Sequence, residues 1–189
     1  AVTLYAMEHG MVREDGSIDK DALVAALPGI DIHFEYSPEG SHTFIGDQCV
    51  DSQIRTLAVS SHVSPVAVIP QVRNFVDELL VSYGKNGRIV MDGRDIGTSV
   101  FPNADLKIFM VADDKVRAQR RLNEMVAGGQ HPDFQEVLEN LKSRDYIDSH
   151  RETSPLRQAE DAVVLDNSDM TLQDQMVWIK KLVEERFGK

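Results

Sequence analysis

The stretch R-I-V-M-D-G-R-D-I-G-T, residues 88 to 98, sets a short apolar run directly before a loop of charged residues and glycines. Such a run, bounded by turn residues, is typical of a strand buried in a parallel sheet, so we predict a strand over residues 88–91. Asp92, Arg94 and Asp95 would follow the carboxyl end of that strand, where open α/β sheets bind their ligands. The stretch therefore predicts both a fold class and the edge of the sheet that carries a site.

The spacing of the charged residues in this loop leaves two interpretations open. A charged loop can simply form its own salt bridges at the surface. Alternatively, Gly93 and Gly97 let the backbone turn and come close to a ligand, which the charged side chains would contact. Spacing alone favours neither interpretation.

Two further apolar runs, residues 106–111 and 162–165, have the same character, and helical patterns fill the gaps between the runs. This alternation predicts an α/β fold with a largely parallel sheet and crossover helices. Residues 32–36 and 43–45 instead alternate apolar and polar side chains on either side of a turn. They predict a small antiparallel hairpin that projects from the α/β chain.

Apolar residues at helical spacing predict the helices. The predicted segments are residues 1–9, 19–27, 56 onward with an interruption at Pro65 and a new start at Pro70, 113–129, 133 to before Pro155, and 171 onward. Asp133 and Glu136 form a capping-box pattern at the start of their segment. The last segment places its apolar residues on one face, which predicts a helix that packs against the rest of the fold.

Three charged residues on the helix predicted from residue 133 share one face, because Arg144, Asp148 and Arg151 are four and three positions apart. Two arginines with an acid between them can bind a phosphate while the carboxylate accepts from sugar hydroxyls. A solvated face with an ion pair is the commoner meaning of such spacing. Three more arginines share a face of the preceding predicted helix: Arg117, Arg120 and Arg121. Together these arginines favour a small polyanionic ligand.

Composition argues against several classes of function. The chain has 189 residues, enough for one well-buried domain, and its 31 acidic and 20 basic residues give a formal net charge of -11. A nonspecific nucleic-acid binder needs surplus lysine and arginine, so we expect no nucleic-acid partner. No apolar run approaches the ~18 residues of a membrane span, so we expect no membrane partner either.

The single cysteine, Cys49, rules out an internal disulfide. It favours a reducing compartment, which we take as the cytoplasm. The six histidines have no metal-ligand spacing among themselves or with Cys49, so we predict no metal site in the chain. No nucleophilic triad is indicated.

Four runs of the chain closely resemble those of the bacterial cytidylate kinase family. The runs are G-R-I-V-M-D-G-R-D-I-G-T-S-V-F-P from residue 87, A-D-L-K-I-F-M from 104, K-S-R-D-Y-I-D-S-H-R from 142 and D-A-V-V-L-D-N-S from 161. The pattern D-G-R-D-x-G-T-x-V-F-P is specific to that family among nucleoside monophosphate kinases, and the likeness covers nearly the whole chain.

The resemblance implies a three-layer P-loop kinase-like fold with a parallel sheet, a small antiparallel insert and a helical lid. A single kinase-like domain would span residues 1–189. The insert that binds the monophosphate would lie at residues 31–54 and the lid at residues 113–131.

The resemblance also implies roles for individual residues. Ser64, Arg73 and Asp95 match the residues that read the cytosine edge, where Asp95 would accept from the exocyclic amine and Arg73 would donate to the ring carbonyl. Arg94 and Arg151 match the arginines that hold the monophosphate during catalysis. Arg144 and Asp148 match positions that bind the ribose. Arg120 and Arg121 match positions that bind the ATP phosphates.

The implied reaction moves the γ-phosphoryl group of ATP to CMP or dCMP and gives ADP with CDP or dCDP. Arginines and Mg²⁺ would neutralise the charge on the transferred group, and closure of the lid would exclude water. No general base is required of the protein. The implied partners are CMP, dCMP and ATP, and we expect a monomer.

One motif of the family does not occur in the chain, the phosphate-binding loop G-x-x-x-x-G-K-[ST]. In the family this loop precedes the helix that residues 1–9 match, so we expect the natural protein to carry it upstream of Ala1. If the chain is complete, the alternative is a nonenzymatic CMP-binding remnant that lacks the ATP site.

Overall fold

Helices surround two small sheets in the computed structural model, which describes residues 1–38 and 40–188. The α-helices are α1 (Val2–Glu8), α2 (Lys20–Ala26), α3 (Leu57–Ala67), α4 (Pro70–Gly84), α5 (Asp114–Ala127), α6 (Phe134–His150) and α7 (Leu172–Phe187). The strands are β1 (Ile32–Ser37), β2 (Gly40–Ile45), β3 (Gln48–Cys49), β4 (Ile108–Val111) and β5 (Val163–Asp166). A 3₁₀ turn at Leu27–Gly29 and a π-helical turn at Ile96–Val100 complete the regular structure of the described residues.

The predicted hairpin is confirmed as part of a three-stranded antiparallel sheet in the order β1-β2-β3. Ile32 pairs with Ile45 at the base of the hairpin. Phe44 pairs with Cys49, so the short β3 lies beside the end of β2. The alternating pattern of the sequence predicted this sheet because antiparallel strands with one covered face alternate in the same way.

Strands β4 and β5 pair in parallel, and Ile108 lies opposite Val163. Both strands were predicted, although β4 begins two residues and β5 one residue after the start of the apolar run. Helices α5 and α6 connect them and pack on each other around Ala118, Met125 and Val137. The parallel pair with its helical crossover confirms the α/β class.

The predicted strand over residues 88–91 is wrong. These residues have no strand partner in the described part of the chain, and Val90 is fully exposed at 101%. Arg88 adopts a positive φ of 56°, which departs from extended backbone. An apolar run favours burial, but a strand also requires a neighbouring strand that pairs with its backbone N–H and C=O groups.

The predicted interruption at Pro65 is also wrong, because α3 continues through Pro65 to Ala67. Pro65 lies in the last turn, so the helix loses a backbone hydrogen bond only near its end. The predicted start at Pro70 is confirmed, since α4 begins there. A proline at the first helical position loses no helical hydrogen bond.

Asp133 caps α6 as predicted and accepts from the backbone N–H groups of Gln135 and Glu136. A reciprocal capping box occurs instead at the start of α7, where Thr171 and Asp174 each accept from the other's backbone. The caps fix where the two helices begin.

The prediction that the apolar face of α7 packs against the fold is wrong for the described residues. Leu172 is 81% exposed and Phe187 is 52% exposed. The buried residue of the helix is Gln175, which accepts from the Asn167 side chain at 3.0 Å. The helical spacing correctly predicted that the apolar residues share one face of α7, but it could not show whether other residues cover that face.

The largest core cluster lies between helices α1 to α4 and the base of β1. Its most buried members are Ala6, Leu23 and Val66. This core fixes α3 and α4, which supply part of the site described next. None of the helices within residues 1–38 and 40–188 has the length and apolar character needed to cross a membrane.

Candidate functional site

A cluster of buried charges lies where four elements meet. Helix α3 packs against α4 and α6, and α4 packs against the π-helical turn. Arg73 comes from α4, Asp95 immediately precedes the turn, Asp148 lies near the end of α6, and Arg151 directly follows that helix. All four residues are buried although they carry charge. Charged side chains are rarely buried unless they are paired, so this cluster requires a specific explanation.

Asp95 is the acid that two arginines share. Its carboxylate accepts a hydrogen bond from Arg73, and its other oxygen lies 3.5 Å from Arg151 Nη2. The π-helical turn begins with a hydrogen bond of 2.8 Å from Ser99 N–H to the Asp95 carbonyl. A Cβ atom at Gly93 would lie 2.7 Å from Ile96 Cγ1, so the tight path of this loop depends on a glycine there.

Asp148 is the second central acid. It accepts from the Ser64 hydroxyl at 3.0 Å and from Arg94 Nε at 3.2 Å. Arg151 Nη1 lies 3.7 Å from the Asp148 carboxylate. Ser64 on α3 is fully buried, so the contact brings helix α3 and the loop of Arg94 together at one carboxylate.

Arg144 lies one turn before Asp148 on α6 and is held from α3. Its Nη1 donates to the Ser60 hydroxyl at 3.0 Å, and Ser60 in turn donates to Asn140 at 2.9 Å. Burial lowers the pKa of Arg144, and the nearby Arg94 guanidinium lowers it further. The cation is therefore held in a site that already contains positive charge.

Three buried guanidinium nitrogens in this cluster have no hydrogen-bond partner among the described residues: Arg73 Nε, Arg144 Nε and Arg151 Nη2. A buried donor without an acceptor costs about 1–3 kcal/mol, and more when it is charged. Burial lowers the pKa of Arg151, and the neighbouring Arg73 cation contributes to the same shift. Excess positive charge and unused donors make this cluster a candidate site for an anion with several acceptors.

Sequence reasoning missed Asp77. This residue lies one helical turn after Arg73 on α4, and its carboxylate accepts from Arg73 Nη2 at 2.9 Å. Burial raises the pKa of Asp77, while the Arg73 guanidinium opposes that rise. Arg73 is thus held between two carboxylates, and the i,i+4 spacing of Arg73 and Asp77 was the available signal.

The predicted site residues divide into two groups. The structure brings seven of them together, five buried and the partly exposed Arg94 and Arg144 beside them: Ser64, Arg73, Arg94, Asp95, Arg144, Asp148 and Arg151. Arg120 lies on α5 and donates to the Asn167 side chain at 3.0 Å and to the carbonyls of Asn167 and Met170 at 2.6 and 3.2 Å. It therefore holds the loop that follows β5.

The side chain of Arg121 has different hydrogen-bond partners from that of Arg120. Its guanidinium donates to the Arg55 carbonyl at 2.6 Å and to Glu124 at 3.2 Å. It also lines a cavity of about 700 Å³ between α5 and the segment before α3, which Asp51 and Arg55 line from the other side. The third arginine of this helix, Arg117, forms a bidentate pair with Asp145 of α6.

An α/β fold in which arginines and carboxylates meet in a buried cluster is typical of enzymes that bind phosphorylated ligands. A family model described as cytidylate kinase matches residues 1–185. The chain belongs to the cytidylate kinase family, as the resemblance of its motifs implied. It is therefore an enzyme of the nucleoside monophosphate kinase type with a P-loop kinase fold.

Relatives from several organisms carry the same family name. The chain is 48% identical to the cytidylate kinase of Bacteroides thetaiotaomicron over 191 aligned positions, which cover 100% of this chain and 81% of that protein. It is 49% identical to that of Phocaeicola vulgatus, with 95% and 79% covered. Identity to the Flavobacterium psychrophilum protein is 44%, with 97% and 81% covered.

Proposed function

We propose that the chain phosphorylates CMP and dCMP with the γ-phosphoryl group of ATP and so produces CDP or dCDP and ADP. The observation that carries this proposal is the buried cluster around Asp95 and Asp148, in which three guanidinium nitrogens have no hydrogen-bond partner among the described residues. The nucleotide supplies the acceptors that these donors lack. The match of the family model to residues 1–185 disfavours the alternative of a nonenzymatic remnant.

The cytosine edge fits the pair formed by Asp95 and Arg73. Cytosine presents an exocyclic amine that donates to a carboxylate, whereas uracil presents a carbonyl oxygen at the same position. The Asp95 carboxylate would accept from the amine and repel the uracil oxygen. Arg73 Nε, which is unpaired among the described residues, would donate to the ring carbonyl. Ser64 completes this part of the site through its hydrogen bond to Asp148.

The monophosphate and the ribose fit the other members of the cluster. Arg94 and Arg151 would hold the phosphate, since a guanidinium matches phosphate oxygens with parallel hydrogen bonds. Arg144 and Asp148 would bind the ribose. An ionised carboxylate has about four lone-pair positions, so Asp148 can accept from sugar hydroxyls while it keeps its bonds to Ser64 and Arg94.

Catalysis would consist mainly of positioning and charge neutralisation. In phosphoryl transfer the protein needs little covalent chemistry, and Mg²⁺ supplies charge neutralisation between the phosphates of ATP. This ion is usually held mainly by substrate phosphates and water, so we assign it no protein ligand. Arg94 and Arg151 would fix the attacking oxygen of CMP in line with the transferred group.

We propose that Arg120 and Arg121 both serve the ATP phosphates, Arg121 by direct contact and Arg120 indirectly. Arg121 fits this role because it lines the cavity between α5 and the segment before α3. Arg120 binds carbonyl groups of the loop after β5, so it would serve ATP by fixing that loop. We also propose that residues 31–54 form the monophosphate-binding insert and residues 113–131 the lid.

The remaining parts of the proposal concern the partners, the compartment and the oligomeric state of the enzyme. The formal net charge of -11 disfavours a nucleic-acid partner. The single cysteine fits the reducing cytoplasm. We also propose a monomer without a membrane partner, because the proposed reaction requires only the nucleotide site.

A coupled assay of ADP release tests the proposed function with CMP, dCMP, UMP and AMP as acceptors. The full-length protein should use CMP and dCMP with the highest kcat/KM. The exposed Arg157 offers a matched control, because Arg157→Ala removes a guanidinium from outside the cluster and should leave all four rates unchanged. Absence of turnover with every acceptor would refute the kinase, and a preference for AMP would refute the cytosine assignment.

A further inference from the structure

The three-stranded sheet brings together three side chains of different chemistry. His42 lies on β2, Cys49 ends β3, and Asp51 follows two residues later. Because β3 pairs with β2, Cys49 lies opposite Phe44, two positions along the strand from His42 and on the same face. Sequence spacing gave no sign of this cluster, since strand pairing and not a local motif creates it.

The ligand atoms of these three residues face one another. The His42 nitrogen, the Cys49 sulfur and an Asp51 oxygen all lie within 4.8 Å of each other. His42 Nδ1 is 2.9 Å from Asp51 Oδ2. No other group of three histidine, cysteine or acidic side chains within residues 1–38 and 40–188 meets this distance.

The surroundings prepare His42 and Asp51 to act as ligands. His42 Nε2 lies 3.0 Å from the Ser37 hydroxyl, and transfer of the ring proton to Nε2 would release Nδ1 from its contact with Asp51 and let it bind an ion. Asp51 Oδ1 accepts the Thr43 N–H at 2.9 Å, which fixes the orientation of the carboxylate.

We propose that His42, Cys49 and Asp51 form a binding site for a divalent transition-metal ion such as Zn²⁺. Zinc takes nitrogen, thiolate and carboxylate ligands at about 2.0–2.3 Å, and ligand atoms less than 5 Å apart can close on one ion. The exposure of Cys49 leaves a fourth position open to water. Binding would release the thiol proton of Cys49 to solvent as the thiolate forms a bond to the ion.

The site is chemically separate from the Mg²⁺ of the proposed reaction. A thiolate selects zinc-like ions, whereas Mg²⁺ prefers oxygen ligands in an octahedral arrangement. An ion at this position would tie β2 and β3 to the segment that leads into α3. Asp51 also lines the cavity shared with Arg121, so the ion would stabilise one wall of that cavity.

Titration of the full-length, reduced protein with Co²⁺ in the absence of nucleotide tests the site. A thiolate bound to Co²⁺ gives a charge-transfer absorption band in the near ultraviolet, and Cys49 is the one cysteine of these 189 residues. We expect the band to saturate with one ion per chain and to disappear when Zn²⁺ is added. Absence of the band in the wild-type protein overturns the proposal without any variant.

Variants then decide whether the three residues act as one site. Cys49→Ser should abolish the band, and His42→Ala and Asp51→Asn should each weaken Co²⁺ binding by about 10-fold or more. His131→Ala is the matched control, because His131 is an exposed histidine in the loop between α5 and α6 and should not change the titration. Unchanged affinity in both His42→Ala and Asp51→Asn would mean that the thiol binds alone, which overturns the proposal.

Discussion

Two arginine-rich regions of the molecule use the same side chain in different ways. In the buried cluster around Asp95 and Asp148, the guanidinium groups of Arg73, Arg144 and Arg151 each keep a nitrogen without a partner among the described residues. On α5, Arg117 and Arg120 donate to Asp145 and to loop carbonyls instead. Unused buried donors indicate a ligand, whereas donors that are all used indicate a structural role.

The largest expected effect comes from the cluster. Arg151→Ala removes a cation that faces both central acids and that we assign to the phosphate of CMP. Because misplacement of a reacting atom by about 1 Å can cost 10²-fold in rate, kcat with CMP should fall by about 100-fold. Steady-state kinetics with saturating ATP measures this change. Arg157→Ala serves as the control, and a variant of Arg151 that retains kcat would place Arg151 among the structural arginines.

The next effect should appear in stability and comes from α5. Arg120→Ala removes charge-assisted hydrogen bonds to the loop after β5, so the free energy of unfolding should fall by about 2 kcal/mol. The KM for CMP should stay unchanged, because Arg120 donates to the loop after β5 and not to the cluster around Asp95. Urea unfolding and CMP kinetics on the same preparation give both values. Unchanged stability together with a raised KM for CMP would reverse the comparison between the two regions.

A smaller effect is expected from Asp77, which touches Arg73 but is not assigned to the nucleotide. Asp77→Asn weakens one of the two carboxylate contacts that orient Arg73. A change of about 1 kcal/mol in that contact corresponds to a rise of about 5-fold in the KM for CMP, with kcat nearly constant. Kinetics at varied CMP measures the split. An equal loss of kcat would show that Asp77 does more than position Arg73.

The sequence predicted the parts of the fold and of the site that depend on residues close together in the chain. Alternation predicted the hairpin, and helical spacing predicted that Arg144 and Asp148 lie one turn apart on α6, whereas Arg151 follows the helix in extended backbone. The sequence could not show which part of the chain packs against each of these segments. Residues 88–91 have the composition of a strand but no strand neighbour in the described chain, and the apolar face of α7 is exposed.

The same limit applies within the site. Arg73 and Asp95 are 22 residues apart, and Ser64 and Asp148 are 84 apart, so only the packing of α3, α4 and α6 brings each pair together. The resemblance to cytidylate kinases predicted these residues individually. Local spacing could have found Asp77, because it lies four residues after Arg73 on one helix.

Calorimetric titration with CMP and with UMP tests the central claim, that Asp95 reads the cytosine amine. The wild-type full-length protein should bind CMP more tightly than UMP. A good carboxylate contact to a base is worth about 1–3 kcal/mol, so Asp95→Asn should weaken CMP binding by about 5-fold to 150-fold and should not weaken UMP binding, because it removes the charge that repels the uracil oxygen. Equal losses for the two nucleotides, or no loss for CMP, would contradict the claim.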